Sequence, residues 1–558
     1  MNISSSIFLP LRWPTTANLA GAASAARLTD AFLRPTIPTT LFLILASFLF
    51  FLIESRRKQS SKLGHVSLPP GPSPWPIVGN LPELWMNRPA YRWILGMMKE
   101  MDTKIACIRL GNVHVIPVTC PEIGREFLKK NDAVFASRPL TMGTEYSSRG
   151  FLSIAVAPWG DQWKKMRKVV ASEVINPARL RWMQSKRIEE ADNLVYYLYN
   201  QCPGGATRPA PAVIDVRMAV RQYSGNVIRK MMFGKRYFGQ GREDGGPGKE
   251  EVEHVDALFN VLSLLYAFCV SDYMPCLRRL DLDGHERMMK KAIEIVNKYH
   301  EPVIDERIKK WRGDNNGTKE VNDLLDVLVS VKDVDGKPLL NSEEIKAQAS
   351  DLIYAAVDNP SNAIEWAMAE MLNRPEILEK ATEELDRVVG KDRWVQESDF
   401  PHLNYVKSIA REAFRLHPIA PFNLPHVSSD DATVAGYFIP KGSHVLLSRL
   451  GLGRNPDVWP NPLRFDPDRH LSAEVDLAEP DLRFISFSTG RRGCMGVALG
   501  TSMTVMLLAR MLQGFDWSLP AGVSAVELRE SATDLGLFAP LMAAARPRLQ
   551  PHLYRQSA

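Results

Sequence analysis

The chain is poor in cysteine, nearly free of acids at its start, and without a dense basic tract. Its six cysteines, Cys107, Cys120, Cys202, Cys269, Cys276 and Cys494, form no C-x-x-C pair and share no regular spacing across 558 residues. A chain of this length buries enough apolar surface to stand without covalent staples, so the set reads as reduced thiols. The missing C-x-x-C pairs also argue against a zinc site. The net charge is only +6, and no Lys/Arg cluster with interleaved aromatics accompanies it. No nucleic-acid partner is expected. Internal repeats are absent, and no shift of composition divides the chain after residue 80, which predicts one large domain there.

The first 36 residues hold many Ser, Thr and Ala but a single acid, Asp30, a composition partly like a transit peptide. The next segment argues otherwise. Residues 37–53, "IPTTLFLILASFLFFLI", run 17 residues without a charge, the short limit of a bilayer span. Arg56, Arg57, Lys58 and Lys62 follow at once, which places everything beyond residue 55 in the cytosol. Arg27 and Arg34 weaken that orientation without reversing it. The expectation is a luminal tail over 1–36, a single transmembrane anchor over 37–53 and a basic, Pro-rich hinge over 54–80. The main body then occupies 81–558. In the hinge, "LPPGPSPWPIVGN" enforces extended backbone and removes donors, so it is neither helix nor central strand.

Beyond residue 80 the pattern is chiefly helical. Apolar residues recur at helical spacing in "RIEEADNLVYYLYNQ", "DALFNVLSLLYAFCV" and "ERMMKKAIEIVNKYHEPVIDERIKKW". Strand-like stretches are short, as in "KIACIRLGNVHVIPVT" and "ATVAGYFIPKGSHVLL". The expected fold class is mainly α with small β-sheets. One long helix is expected from Asn341, where "NSEE" offers a capping box with Glu344, to Asn373, just before Pro375. Asp358, Asn359 and Pro360 stand at its middle. Pro360 lacks an N–H, so the carbonyl of Ala356 loses its helical partner, and a kink with room for water or a ligand is expected. A packing kink without chemical meaning is the plain alternative.

The strongest chemical signal is "FISFSTGRRGCMGVALGTSM", residues 484–503. Cys494 sits in a glycine-dense loop just before an apolar helical run, and Gly490, Gly493 and Gly496 permit close backbone approach. Amide N–H groups of the loop and the helix start can point at the sulfur, which favours thiolate over thiol. Phe487, seven residues upstream, can cover a ligand there. A lone loop cysteine is more often structural; the full spacing F-x-x-G-x-R-x-C-x-G points instead to an axial thiolate for haem iron.

With that loop, "WKKMR", "REAFR" and "FDPDRH" in their order, the chain after residue 37 resembles a membrane-bound plant cytochrome P-450. The resemblance implies a haem-thiolate fold with an N-terminal anchor helix and a haem b cofactor. Cys494 is then the axial ligand and Gly496 part of its loop. Trp163, Arg167, Arg492 and His426, in "APFNLPHV", are implied partners of the haem propionates. Glu412, Arg415 and Arg469 are implied to form a buried charge network, structural rather than catalytic; taken alone, an E-x-x-R motif is usually a surface ion pair.

Most relatives of this type carry acidic-Thr-Thr/Ser over the haem, where this chain has Asp358-Asn359-Pro360. Together "VDNPSNA", "HPIAPFNLPHV", "FDPDRHL" and "SFSTGRRGC" resemble the plant amino-acid N-monooxygenases that form aldoximes, and the likeness leans to the phenylalanine/tyrosine branch. That implies two N-hydroxylations, dehydration and decarboxylation to an (E)-aldoxime, with dioxygen and with electrons from NADPH through NADPH-cytochrome P-450 reductase. It implies an endoplasmic reticulum membrane location and association with downstream aldoxime-metabolising enzymes. A zwitterionic substrate needs fixed donors, for which Ser148, Arg149 and Asn423 are candidates. Phe151, Phe422, Leu537 and Phe538 could line an apolar wall. A carbon-hydroxylating oxygenase, a reductase-independent isomerase or dehydratase, and a non-catalytic haem carrier or sensor remain the rival readings.

Overall fold

The long helix forms over Ser342–Leu372, with the expected capping box at its start. Asn341 Oδ1 accepts from the Glu344 N–H at 2.9 Å, and Glu344 Oε2 accepts from the Asn341 N–H at 2.9 Å. Lys165 then covers the Glu344 carboxylate at 2.7 and 2.8 Å. These bonds satisfy donors that a helix start leaves without partners. The helix continues through Pro360 rather than breaking there. Two neighbours account for this. Helix Val216–Phe233 packs along it, and Ser361 Oγ donates to the Val357 carbonyl at 2.6 Å while meeting Ser224 Oγ at 3.0 Å. One lost hydrogen bond is therefore offset by packing and by a side-chain donor one residue further on.

The structure is a computed structural model describing residues 67–202, 211–313, 319–531 and 535–554. The expected tail and anchor, and the hinge up to residue 66, lie outside the described residues. Residues from Val66 onward form one compact unit. The described part of the Pro-rich stretch lies on that unit: Pro70 O accepts from the Cys107 N–H at 2.8 Å, and the Asn80 N–H donates to Arg109 O at 2.5 Å. Gly71 is required there, since a Cβ would collide with the Cys107 carbonyl.

Around the long helix pack helices Gln184–Gln201, His285–Arg312, Asn404–Leu416 and Val497–Gly514. The periodicities of "RIEEADNLVYYLYNQ" and "ERMMKKAIEIVNKYHEPVIDERIKKW" fall within such elements, while that of "DALFNVLSLLYAFCV" lies in helix Lys249–Tyr266 and runs past its end. The stretch Lys249–Tyr273 and helix Val497–Gly514 are long and apolar enough to cross a bilayer. The second is mostly buried inside the body, which makes it a core helix.

The β-structure is small, as expected. Strand β1 (Ile108–Leu110) turns into β2 (Val113–Val118) through the two-residue loop Gly111-Asn112, with Gly111 at φ +55°. β3 (Ala212–Asp215) pairs elsewhere, whereas β4 (His426–Val427) joins the first sheet. β5 (Ala432–Val434) and β6 (Tyr437–Ile439) form a separate hairpin. β7 (His444–Leu447) runs parallel to β2, giving the order β1-β2-β7-β4. β8 (Phe515–Ser518) and β9 (Met542–Pro547) complete a second sheet in the order β3-β9-β8. The first sheet carries the 417–427 segment to the middle of the long helix: Asn362 Nδ2 reaches the His417 carbonyl at 3.1 Å.

Candidate functional site

The cysteine loop is fixed by its own backbone. The Cys494 N–H donates to Phe487 O at 2.8 Å and the Gly493 N–H to Gly490 O at 3.0 Å. Gly490 takes φ +74°, and a Cβ there would collide with the Leu128 carbonyl. Gly490→Ala is accordingly expected to cost about 1–3 kcal/mol from backbone strain alone, with the collision added. Thermal unfolding and the yield of haem-loaded protein would register it.

The Gly496 N–H donates to Cys494 Sγ at 3.3 Å, and Gly496 caps helix Val497–Gly514. The expected amide environment is present, yet the thiol is not depressed. Burial pushes the Cys494 thiol up, against the Gly496 N–H and the charges of Arg449 and Arg167. Cys494 nevertheless keeps accessible surface. Desolvation outweighs one amide and two cations until a further positive charge arrives. An iron ion is such a charge.

Beside the loop lies a cluster of cations. The Arg492 guanidinium lies over the Trp163 ring at 4.6 Å, and Arg167 over the same ring at 5.4 Å. Arg492 donates to Ala136 O and Ala157 O, both at 2.5 Å. Burial, then the charges of Arg138 and Arg167, push it down to about 8. Arg167 spends only a 3.4 Å bond on Gly493 O. His426, buried, meets Phe135 O at 2.8 Å through Nδ1, and burial with the charges of Arg138 and Arg492 holds it well below its usual value. The charges acting on Arg492 and His426 are themselves cationic, so the cluster calls for an anion. Two porphyrin propionates beside a cysteine ligand answer that need, and the residues fit a haem. Phe487 packs near Phe414, ring centroids 6.0 Å apart, and a Cβ on Gly500 would come within 3.0 Å of its ring.

The Glu412 network forms as expected and gains a member. Arg415 Nε and Nη2 each hold the carboxylate at 2.7 Å, Arg469 Nε reaches it at 3.1 Å, and His470 Nε2 at 2.7 Å. The His470 contact spans 58 residues, and nothing in the local pattern announces it. Burial opposes the charged form, but hydrogen bonds from Arg415 and His470 outweigh it and hold Glu412 at about 2.

On the long helix, Ala355, Ala356, Asp358 and Asn359 keep accessible surface, while Pro360 and the turns after it are buried. A cavity lies against this face, lined by Asp358, Asn362, Phe259, Tyr266, Ile419 and Pro421 among others. A larger one, of about 690 Å³, shares Ser263, Tyr266 and Pro421 with it. Phe422 is buried at the neighbouring cavity wall and meets Phe268 edge-on at 6.5 Å.

The proposed carboxylate donors are engaged elsewhere. Arg149 pairs with Glu301, with Glu343 at 2.9 Å and with Asn297 at 3.0 Å, on the rim of helix His285–Arg312. Its long side chain follows two acids that the sequence places 152 and 194 residues away. Ser148 Oγ donates to Thr144 O at 2.6 Å and accepts from the Phe151 N–H at 2.8 Å. Asn423 Oδ1 accepts from the Leu447 N–H at 2.9 Å, tying its loop to β7. Phe538 is 59% exposed, with Arg529 stacked on it at 3.7 Å; Leu537 is buried. Phe151 is half-buried at φ +66°.

Comparison with known proteins accords with this geometry. A family model described as "Cytochrome P450" matches residues 69–538. A tryptophan N-monooxygenase of Prunus mume is 58% identical over 530 residues, 94% of this chain and 98% of its own. A tyrosine N-monooxygenase of Sorghum bicolor is 57% identical over 529 residues, 92% and 94% of the two chains. Other relatives are named for N-oxidation of phenylalanine, valine and isoleucine. Among solved structures, a zebrafish cytochrome P450 with progesterone superposes with a TM-score of 0.66 at 22% identity, covering 83% of this chain and 100% of its own. The fold, a cysteine loop beside a cluster of cations, and a family match across most of the chain agree: the chain belongs to the cytochrome P450 family, whose members carry haem and receive electrons from a reductase.

Proposed function

We propose that the protein oxidises the amino nitrogen of an L-amino acid, phenylalanine or tyrosine foremost, and releases the (E)-aldoxime. The observation that carries this reading is near-full-length identity of 57–58% to named amino-acid N-monooxygenases. The Asp358-Asn359-Pro360 triplet, in place of an acid and a hydroxyl, supports it. Two N-hydroxylations each consume one dioxygen and one NADPH; loss of water and carbon dioxide then yields the oxime. Haem bound at Cys494 supplies the oxidising chemistry, with electrons from NADPH through NADPH-cytochrome P-450 reductase.

The chain's own residues set the conditions. Trp163, Arg167, Arg492 and His426 are assigned to the haem propionates, which complete their charge. Phe487 and Gly496 enclose the ligand loop. Asp358 and Asn359 face the substrate side and offer a carboxylate and an amide where a hydroxyl would ordinarily serve proton delivery. An N-hydroxylated amino acid brings its own polar groups to that position, which relaxes the need for the hydroxyl. Phe259, Tyr266, Phe268 and Phe422 provide aromatic surface for a ring. The reading includes an endoplasmic reticulum membrane anchor over 37–53, a cytosolic catalytic body, and hand-over to downstream aldoxime-metabolising enzymes.

Microsomes containing the protein, given NADPH, reductase and each protein amino acid in turn, are expected to form phenylacetaldoxime or its hydroxy analogue. A carbon-hydroxylated product, or turnover without NADPH, would replace this reading with an ordinary oxygenase or an isomerase. Asn359→Thr tests the helix directly. The variant is expected to form aldoxime more slowly and to divert more NADPH into peroxide; unchanged coupling and turnover would remove Asn359 from the mechanism.

A further inference from the structure

One largely buried cation in the site region has no protein hydrogen-bond partner for its Nε among the described residues. Arg449 opens the short helix Arg449–Gly453, directly after β7. Its backbone is pinned: the N–H donates to Pro421 O at 2.9 Å, and Ser448 Oγ accepts from the Gly451 N–H at 2.9 Å. Pro421 lines both the cavity at Asp358 and the larger one beside it. The side chain is therefore launched from the wall of the substrate space by a rigid backbone.

Its guanidinium is not satisfied by protein. Nε is buried without a hydrogen-bond partner. Among the described residues no carbonyl or carboxylate takes its other donors either. Nearby arginines differ. Arg138 donates to Leu424 O and Pro425 O at 2.8 and 2.9 Å, Arg217 to Glu365 at 2.9 and 3.0 Å, and Arg454 to Leu416 O at 2.7 Å and to Glu530. Burial lowers the Arg449 pKa, while the Tyr266 hydroxyl, the Asp358 carboxylate and the Cys494 thiol act on it from within the same space. The residue keeps some accessible surface. Ser448 bridges to Phe422 and Arg449 bonds to Pro421, so this arginine adjoins the segment whose residues line the cavities.

We propose that Arg449 holds the α-carboxylate of the amino-acid substrate. The inference rests on the amino-acid reading above. A guanidinium matches a carboxylate through two parallel N–H···O bonds, a geometry that a lysine or an amide does not offer. A buried, unpaired cation costs several kcal/mol, and a ligand anion that completes it recovers much of that cost. An amino acid, unlike the apolar substrates common to haem oxygenases, carries the carboxylate that Arg449 lacks. The pairing also orients the molecule, since fixing the carboxylate sets the nitrogen beside it and sends the side chain toward Phe268 and Phe422.

The test uses purified, full-length, haem-loaded protein titrated with L-phenylalanine, L-tyrosine and the carboxylate-free amines phenethylamine and tyramine, read by the haem spin-state absorbance change. Wild type is expected to bind the amino acids far more tightly than the amines. Arg449→Met is expected to weaken amino-acid binding about 100-fold, the scale of losing one partner of a buried charge pair. Amine binding should hold within about 3-fold, so that discrimination collapses. Arg449→Lys should recover part of it, and serves alongside Arg449→Gln if the Met variant fails to fold. Wild-type discrimination retained in folded Arg449→Met or Arg449→Gln overturns the proposal. So does loss of haem from every variant, since that assigns Arg449 to the cofactor. If wild type itself binds no amino acid and makes no aldoxime, the functional reading falls and this one with it. If wild type makes aldoxime and Arg449→Met still discriminates, this one falls alone.

Discussion

Glu412→Ala is expected to yield almost no haem-loaded protein, the largest stability effect of any single substitution outside the cysteine loop. Glu412 and Arg415 are both fully buried, with 0% side-chain exposure. The carboxylate also takes the Asp466 N–H at 2.8 Å, in addition to Arg415, Arg469 and His470. Removing it leaves two guanidinium groups and an imidazole facing one another without an anion. Breaking a buried pair in this way costs about 3–5 kcal/mol, a large share of the 5–15 kcal/mol that typically separates folded from unfolded chains.

The loss spreads along the chain because Arg415 also donates to Gly453 O at 2.5 Å, Pro462 O at 2.7 Å and Arg464 O at 3.0 Å. Those carbonyls belong to the strap that leads toward the cysteine loop. Gly453 itself tolerates no Cβ, which would collide with the Arg415 carbonyl. Glu412→Gln retains shape and two acceptor sites at most, so it should fall between wild type and alanine. The acid response has a fixed sign. Glu412 is held at about 2 in the folded state, against roughly 4.3 in an unfolded chain. Its contribution is complete above the unfolded value and disappears as pH falls from there toward 2. Urea unfolding at neutral pH and near pH 3 should show a steeper loss in wild type than in Glu412→Gln.

The parts of the molecule legible in the sequence are those written locally. Period and capping locate the helix Ser342–Leu372 because Asn341 and Glu344 are three residues apart and the side chain of each accepts from the other's backbone N–H. The hairpin of β1 and β2 announces itself through Gly111, which takes the positive φ that its turn requires. The cysteine loop is legible because its glycines, arginine and cysteine lie within ten residues. Groups brought together over long distances are not. His470 joins Glu412, and Arg149 leaves the site for Glu301 and Glu343, because side chains follow the nearest complementary charge in space. Arg449 sits in "LSRLGLGRNP", where it reads as one more helix-start arginine. Only the fold shows that β7 brings it beside Pro421, a cavity residue, with its Nε unpaired among the described residues. The continuous helix at Pro360 follows the same rule: packing against Val216–Phe233 and the Ser361 bond decide the outcome, and neither is visible in the triplet itself.

Cys494→Ser is expected to leave the fold in place and abolish the reaction. Serine differs from cysteine by one atom, and the loop is fixed by backbone bonds to Phe487 and Gly490 that do not involve the sulfur. Thermal unfolding of the cofactor-free variant should therefore stay within about 1 kcal/mol of wild type, the range of a near-isosteric change. The chemistry depends on the sulfur alone. A thiolate donates electron density to haem iron and favours O–O cleavage, whereas an alcohol is far harder to ionise in the same desolvated place. That place already pushes the thiol up, so even cysteine relies on the iron's positive charge to become an anion, and serine lies beyond that help. The reduced, carbon monoxide-bound variant should lack the absorbance of a thiolate-ligated haem, and NADPH-dependent aldoxime formation should fall below detection. A variant that loses the spectrum but keeps forming aldoxime would show that the oxidation runs elsewhere. One that loses both while unfolding at the wild-type temperature confines the role of Cys494 to the iron.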